Sequence, residues 1–262
     1  VSGRRLVDTR YGQVHVRTRH ADRPGRPLVL LHMSPRSSRM WADLQRLVAR
    51  PTYAPDRLGY GQSDEPQRAL SLADYARSTL DVLEGLGLRE FDVLGMHTGS
   101  LEAIELAHQA PGRMKRCGIV AIPVFTADEK RAMAGYAQQT LVPAEDGSHL
   151  LPAWRARFQY RDPPFDLADV QRRYVDYLTS PDPGAAYRAV FDYDAAAQLR
   201  SCPVPLTAFV PHDDLYEVSV RSRALLPPGA TVVELDDMNV DLFRWPARVI
   251  ARAPAFFADD AA

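Results

Sequence analysis

Residues 91–100 read Phe91-Asp92-Val93-Leu94-Gly95-Met96-His97-Thr98-Gly99-Ser100, and this stretch decides the architecture. Its first half is a short apolar run that suits a buried strand. Two glycines four residues apart then bracket Met96, His97 and Thr98, and the chain continues as LEAIELAHQA (101–110) with helical spacing. A strand that turns directly into a helix holds one side chain at the tip of a tight bend, with glycine on either side where a Cβ would collide with neighbouring backbone. His97 occupies that tip.

Working outward, further short apolar runs end in turns: PLVLLHM (27–33), PTYAPDR (51–57), RCGIVAIPV (116–124), VPLTAFV (204–210) and ATVVELD (230–236). Helical patterns separate them, including SLADYARSTLDVLEGLGL with Ser71 as N-cap, and a last helix over about 247–257. The N-terminal RRLVDTRYGQVHVRTRH alternates apolar and polar residues around Tyr11-Gly12, which predicts an antiparallel hairpin. Strands alternating with helices predict a mostly parallel sheet covered on both faces. Between about Phe125 and Leu199 no strand pattern appears. Helical segments alternate there with turns at Pro152, Pro163-Pro164 and Pro181-Pro183. The expected organisation is therefore a core of 1–124 and 200–262 with a helical cap inserted over 125–199.

Bulk properties narrow the field. The 262 residues are 46% hydrophobic with a formal net charge of −1, so there is no basic field to attract nucleic acid. No apolar run approaches a membrane span, and the N-terminus shows no signal-peptide pattern. Cys117 and Cys202 sit in apolar stretches and read as buried thiols of a reducing compartment, so the expected location is cytoplasmic. No cofactor motif is present. The expected partner is a small molecule bound by a monomer or homodimer.

Four motifs, in order, resemble the α/β-hydrolase family and together span nearly the whole chain. His32-Met33-Ser34-Pro35 is similar to the H-G-x-P oxyanion loop. Ala54-Pro55-Asp56-Arg57-Leu58-Gly59-Tyr60-Gly61-Gln62-Ser63-Asp64 closely resembles A-P-D-x-x-G-x-G-x-S-D. Gly95-Met96-His97-Thr98-Gly99 resembles the nucleophile elbow G-x-S-x-G, and Pro211-His212-Asp213-Asp214 the acid turn G-x-x-D. The resemblance implies an α/β-hydrolase fold with a sheet of about eight strands. It also implies oxyanion donors at the backbone N–H groups of Ser34 and Thr98. Asp56 and Asp64 are expected to hold loop backbone.

Three departures bear on chemistry. The elbow carries His97 where the family presents Ser, Asp or Cys. Counting back seven residues from Pro246, where the helper histidine falls, gives Asn239. Met33 replaces the oxyanion-loop glycine. A Ser–His–acid triad therefore cannot act as a unit, and removal of its members costs orders of magnitude in rate. An imidazole missing at Asn239 coincides with one gained at the elbow, so the His97 ring is expected to reach Asp214 and form a relocated His–Asp dyad. Asp213, one residue earlier, is the competitor. Such a dyad suits general-base chemistry on water or on a substrate proton, with Asn239 orienting substrate or water. Ser100 is expected beneath the pocket, one helical turn in, and His32 as a structural histidine. His212 beside two aspartates raises a metal, but no H-x-H or H-x-x-x-H spacing supports one, and none is expected.

Cap aromatics from Trp154 to Tyr193 are candidates for pocket walls, although most are expected to form the cap's own core. The cap arginines read as solvated surface, with one available to a substrate carboxylate. The functional expectation is hydrolysis of a small, apolar or aromatic ester, lactone or thioester by His97 and Asp214. A lyase, decarboxylase or cyclase on the same fold and a non-catalytic binding protein remain open.

Overall fold

A computed structural model describes residues 2–158, 166–239 and 245–258. Eight strands form one sheet: β1 (Ser2–Thr9), β2 (Gly12–Arg19), β3 (Leu28–Leu31), β4 (Thr52–Pro55), β5 (Phe91–Met96), β6 (Met114–Val120), β7 (Leu206–Pro211) and β8 (Thr231–Leu235). Their order is β1-β2-β4-β3-β5-β6-β7-β8. The first hairpin pairs antiparallel and joins β4 antiparallel, and every pairing from β4 through β8 is parallel. Twelve helices accompany the described strands: α1 (Ala42–Leu47), α2 (Leu72–Gly85), α3 (Thr98–Gln109), α4 (Ala127–Ala132), α5 (Ala134–Ala137), α6 (Leu150–Ala156), α7 (Leu167–Leu178), α8 (Ala185–Phe191), α9 (Ala195–Arg200), α10 (Tyr216–Ser222), α11 (Pro246–Arg252) and α12 (Pro254–Phe257).

The central strands read as continuous apolar runs because helices cover both faces. Along β5, Phe91 and Val93 point into a cluster with Leu80, Ile104 and Ile119, while Leu94 and Met96 point the other way among Trp41, Phe209, Val249 and Phe256. Ser71 caps α2 reciprocally with Asp74, so this helix begins where its sequence signal stands.

Between β6 and β7 the described chain carries α4–α9 and no strand. This insertion is fastened to the loops that follow β3 and β4. The Tyr187 hydroxyl donates to the Ser34 carbonyl at 2.8 Å, Ser37 Oγ to Asp176 Oδ1 at 2.8 Å, and Ser180 Oγ to the Gly59 carbonyl at 2.9 Å. Tyr160, Arg161, Pro163, Pro164 and Phe165 lie outside the described residues.

Candidate active site

His97 sits between β5 and α3 with φ 50° and ψ −111°, a region that L residues rarely adopt. Its neighbours explain how the bend closes. A Cβ on Gly95 would lie 2.0 Å from the Gly99 carbonyl oxygen, and one on Gly99 would lie 2.3 Å from the Leu31 carbonyl oxygen. Only glycine fits at either position. Ser100 points downward, donating from Oγ to the Val120 carbonyl at 2.8 Å, and is fully buried.

The His97 side chain does not cap α3. Its Nε2 bonds instead to Asp213 Oδ2 at 2.7 Å. This corrects the expected partner: the carboxylate joined to His97 is Asp213, one residue before Asp214. Beyond Pro211 the chain curls so that Asp213 Oδ1 accepts the Leu215 N–H at 2.9 Å, and the Asp213 carbonyl accepts the Tyr216 N–H at 3.1 Å. That turn fixes the Asp213 carboxylate inward with no exposed side-chain surface. Asp214 then faces the cavity in front of the pair. One ligand atom each from His97, Asp213 and Asp214 lies within 4.8 Å of the other two.

The electrostatics follow from this packing. Burial acts to lower the His97 pKa, but the Asp213 charge, its hydrogen bond and the Asp214 charge together outweigh it, so the ring is held above its ordinary value. Burial, with a smaller contribution from neighbouring Asp213, raises the Asp214 carboxyl, while His97 opposes this. A histidine and two carboxylates are donors of the kind that bind metal ions. The direct His97–Asp213 bond leaves no space for a cation between those two atoms, and the N-terminus of α3 ends beside them with its dipole opposing a positive ion.

The oxyanion loop differs from expectation. The Ser34 N–H donates to Thr98 Oγ1 at 2.9 Å, and that hydroxyl donates on to Ser34 Oγ at 3.2 Å. One of the two expected donors is thus engaged by the side chain of the other residue. The Thr98 N–H stands in the first turn of α3, where helical amides have no intrahelical acceptor. Met33 lines the cavity beside Ser34.

Asn239 is half-buried beyond β8, and it is not among the described residues that line the cavity. His32 is structural. Its Nε2 accepts the Arg57 N–H at 2.9 Å, its Nδ1 lies 2.9 Å from the Met33 carbonyl, and burial aided by the Arg57 charge pushes it down to about 4. Asp56 accepts the backbone N–H groups of Ser38 and Gln62, and Asp64 that of Gln13, so both hold loops together.

The cavity before His97 measures about 190 Å³. Met33, Pro123, Phe125, Met133, Val190 and Leu215 give it apolar walls, and Tyr136 stacks against Tyr187 at 5.3 Å between ring centroids. Of the cap aromatics singled out from sequence, Tyr187 is the one among the described residues that lines this space. Trp154 packs against Phe158 and Tyr174 instead, and Tyr193 bonds to Glu105. Phe125 and Tyr136 were not singled out, because the pattern of their short segments does not mark which face turns inward.

Fold and site together define a member of the α/β-hydrolase class. The chain belongs to the alpha/beta hydrolase family, whose model matches residues 28–258. Among curated relatives, a protein described as an uncharacterized carboxylesterase from Bacillus subtilis is 34% identical over 121 residues, 44% of this chain and 39% of that protein. The first curated relatives are thus matched over well under half their length. Among solved structures, an enol-lactonase from Burkholderia xenovorans superposes with a TM-score of 0.80 at 17% identity, covering 97% of this chain and 99% of that one. The carboxylesterase CesB from Bacillus subtilis gives 0.78 at 20% identity, with 98% and 92% covered. At such identities the structural likeness speaks to fold. No helix among the described residues is long and apolar enough to cross a membrane.

Proposed function

We propose that the chain is an enzyme that hydrolyses a small ester, lactone or thioester, with His97 as general base on water and Asp213 as the carboxylate that orients it. The observation that carries this is the 2.7 Å bond from His97 Nε2 to Asp213 Oδ2, made by a histidine held at a strained elbow on the cavity floor. With Nε2 engaged, Nδ1 is the nitrogen left for chemistry. It takes a proton from water as the water oxygen attacks the carbonyl carbon. Asp213 stabilises the resulting imidazolium, which then protonates the departing alkoxide or thiolate. The Thr98 N–H supports the developing oxyanion at the N-terminus of α3. The α4–α9 insertion serves as a cap that supplies Met133, Tyr136, Tyr187 and Val190 to the wall, and the partial similarity to a carboxylesterase agrees with this reading.

A second reading is proton abstraction from carbon, as in a lyase or decarboxylase. It is favoured by the Ser34 N–H being engaged by Thr98 Oγ1, since ester cleavage makes the greater demand on both oxyanion donors. A screen of aryl esters, lactones and β-dicarbonyl compounds with wild type and His97→Ala tests the assignment. Ester or lactone turnover that His97→Ala loses by about 10²-fold or more supports the hydrolase. Turnover of none of these compounds refutes it. Thr98→Ala frees the Ser34 N–H and is expected to raise ester hydrolysis while leaving carbon-acid chemistry unchanged.

A further inference from the structure

Three arginines line the cavity: Arg36, Arg157 and Arg173. Two of them are paired with acids. Arg36 Nε donates to Asp176 Oδ2 at 3.4 Å, and its Nη2 lies 3.9 Å from Asp169. Arg173 bonds Asp169 from Nε at 2.8 Å and from Nη2 at 2.7 Å. Arg36 and Arg173 are thus balanced by Asp169 and Asp176.

Arg157, directly after α6, differs. Its guanidinium carbon lies 4.4 Å from the centroid of the Tyr177 ring, so one face of the group stacks on an aromatic. No carboxylate among the described residues partners it, and its Nε is buried without an acceptor. Burial lowers its pKa, yet an arginine stays charged in this range. Stacking occupies a face and leaves the N–H edge, five donors in a planar fork that matches a carboxylate. An uncompensated guanidinium with an unmet donor is costly to keep unless something is delivered to it. Gln139 Oε1, in the same cavity wall, is likewise buried without a partner.

We propose that Arg157 is the anion-recognising residue of this cavity, and that the natural substrate is a monocyclic or similarly small molecule bearing a carboxylate. This rests on the cavity being the substrate site. The space of about 190 Å³ exceeds the roughly 150 Å³ that holds a benzene ring in a protein interior. The stacked Tyr136 and Tyr187 rings offer it an aromatic wall. Polarity fixes the orientation. Asp214 at the floor repels a carboxylate, so the anion seats on Arg157 and the opposite end of the ligand approaches His97. The anion is bound intact and takes no part in the bond-breaking step.

The test is calorimetric titration of benzoate and phenylacetate against benzamide and phenylacetamide, with inorganic phosphate as a simple anion. The proteins are wild type, Arg157→Gln, Arg157→Lys and His97→Ala. Wild type is expected to prefer each carboxylate over its amide by about tenfold or more. Arg157→Gln removes that preference, and Arg157→Lys retains part of it as a point charge without the fork. His97→Ala keeps the preference, so failure of the proposed chemistry and failure of anion recognition are read separately. Unchanged melting temperatures show that the variants are folded. Equal affinity of wild type for acid and amide, no carboxylate binding at millimolar concentration, a preference surviving in Arg157→Gln, or phosphate binding as tightly as the aryl carboxylates would each overturn the proposal.

Discussion

Replacing Asp213 by Asn keeps the shape of the pair and removes its charge. The amide oxygen still accepts from His97 Nε2, so the ring stays in place. What disappears is the attraction between an imidazolium and a fully buried carboxylate at a nitrogen–oxygen distance of 2.7 Å. With charge centres about 4 Å apart and an effective dielectric of about 20, that attraction is about 4 kcal/mol before the cost of burying both groups. Burial is the largest single influence on His97 and acts downward, while Asp214 is the smallest upward one. Asp213→Asn therefore drops the ring below the ordinary histidine value of about 6.5, whereas Asp214→Asn lowers it by less. Titration of the His97 ring nitrogens by long-range proton–nitrogen NMR reads this without a substrate. Linkage gives an independent check. A raised folded-state value means that the wild-type pair contributes stability at low pH, lost as pH rises through the folded-state value, and Asp213→Asn abolishes that contribution. If Asp214→Asn lowers His97 more than Asp213→Asn does, the acid has been assigned to the wrong residue.

Two other outcomes follow from the same geometry. Gly99→Ala pushes a methyl group to 2.3 Å from the Leu31 carbonyl oxygen, backbone that cannot yield, and is expected to destabilise by about 3 kcal/mol in urea unfolding; a loss under about 1 kcal/mol would mean that the elbow is looser than described. His97→Ser restores a hydroxyl at the elbow but leaves no histidine among the described cavity-lining residues, so it should neither label with a fluorophosphonate probe nor hydrolyse aryl esters, and efficient labelling would reveal a base supplied from elsewhere.

The elbow was legible in sequence because its constraint is local. Gly95 is demanded by the backbone of Gly99 four residues on, and burial of β5 on both faces follows directly from its apolar run. The acid was legible only to within one residue. Whether Asp213 or Asp214 turns inward depends on how the chain curls after β7, and the Leu215 and Tyr216 amides that set the curl carry no side-chain signature. The engagement of the Ser34 N–H by Thr98 Oγ1 joins residues 64 positions apart, and nothing in either motif announces it. The cap arginines looked alike because charge type says nothing about pairing. Asp169 and Asp176 neutralise two of the cavity's three arginines and leave Arg157, a distinction that exists only once α6 and α7 are packed. Asn239 was placed by its spacing from Pro246 alone, and it is not among the described residues that line the cavity.

The central claim is that neutral His97 is the base. The most direct measurement is the pH dependence of kcat/KM for the best ester or lactone found by screening, set beside the NMR titration of the His97 ring in the same protein. Activity should fall on the acid side in step with protonation of His97, with its midpoint above about 6.5 because Asp213 holds the ring up. Activity that stays level while His97 takes up its proton would contradict the account.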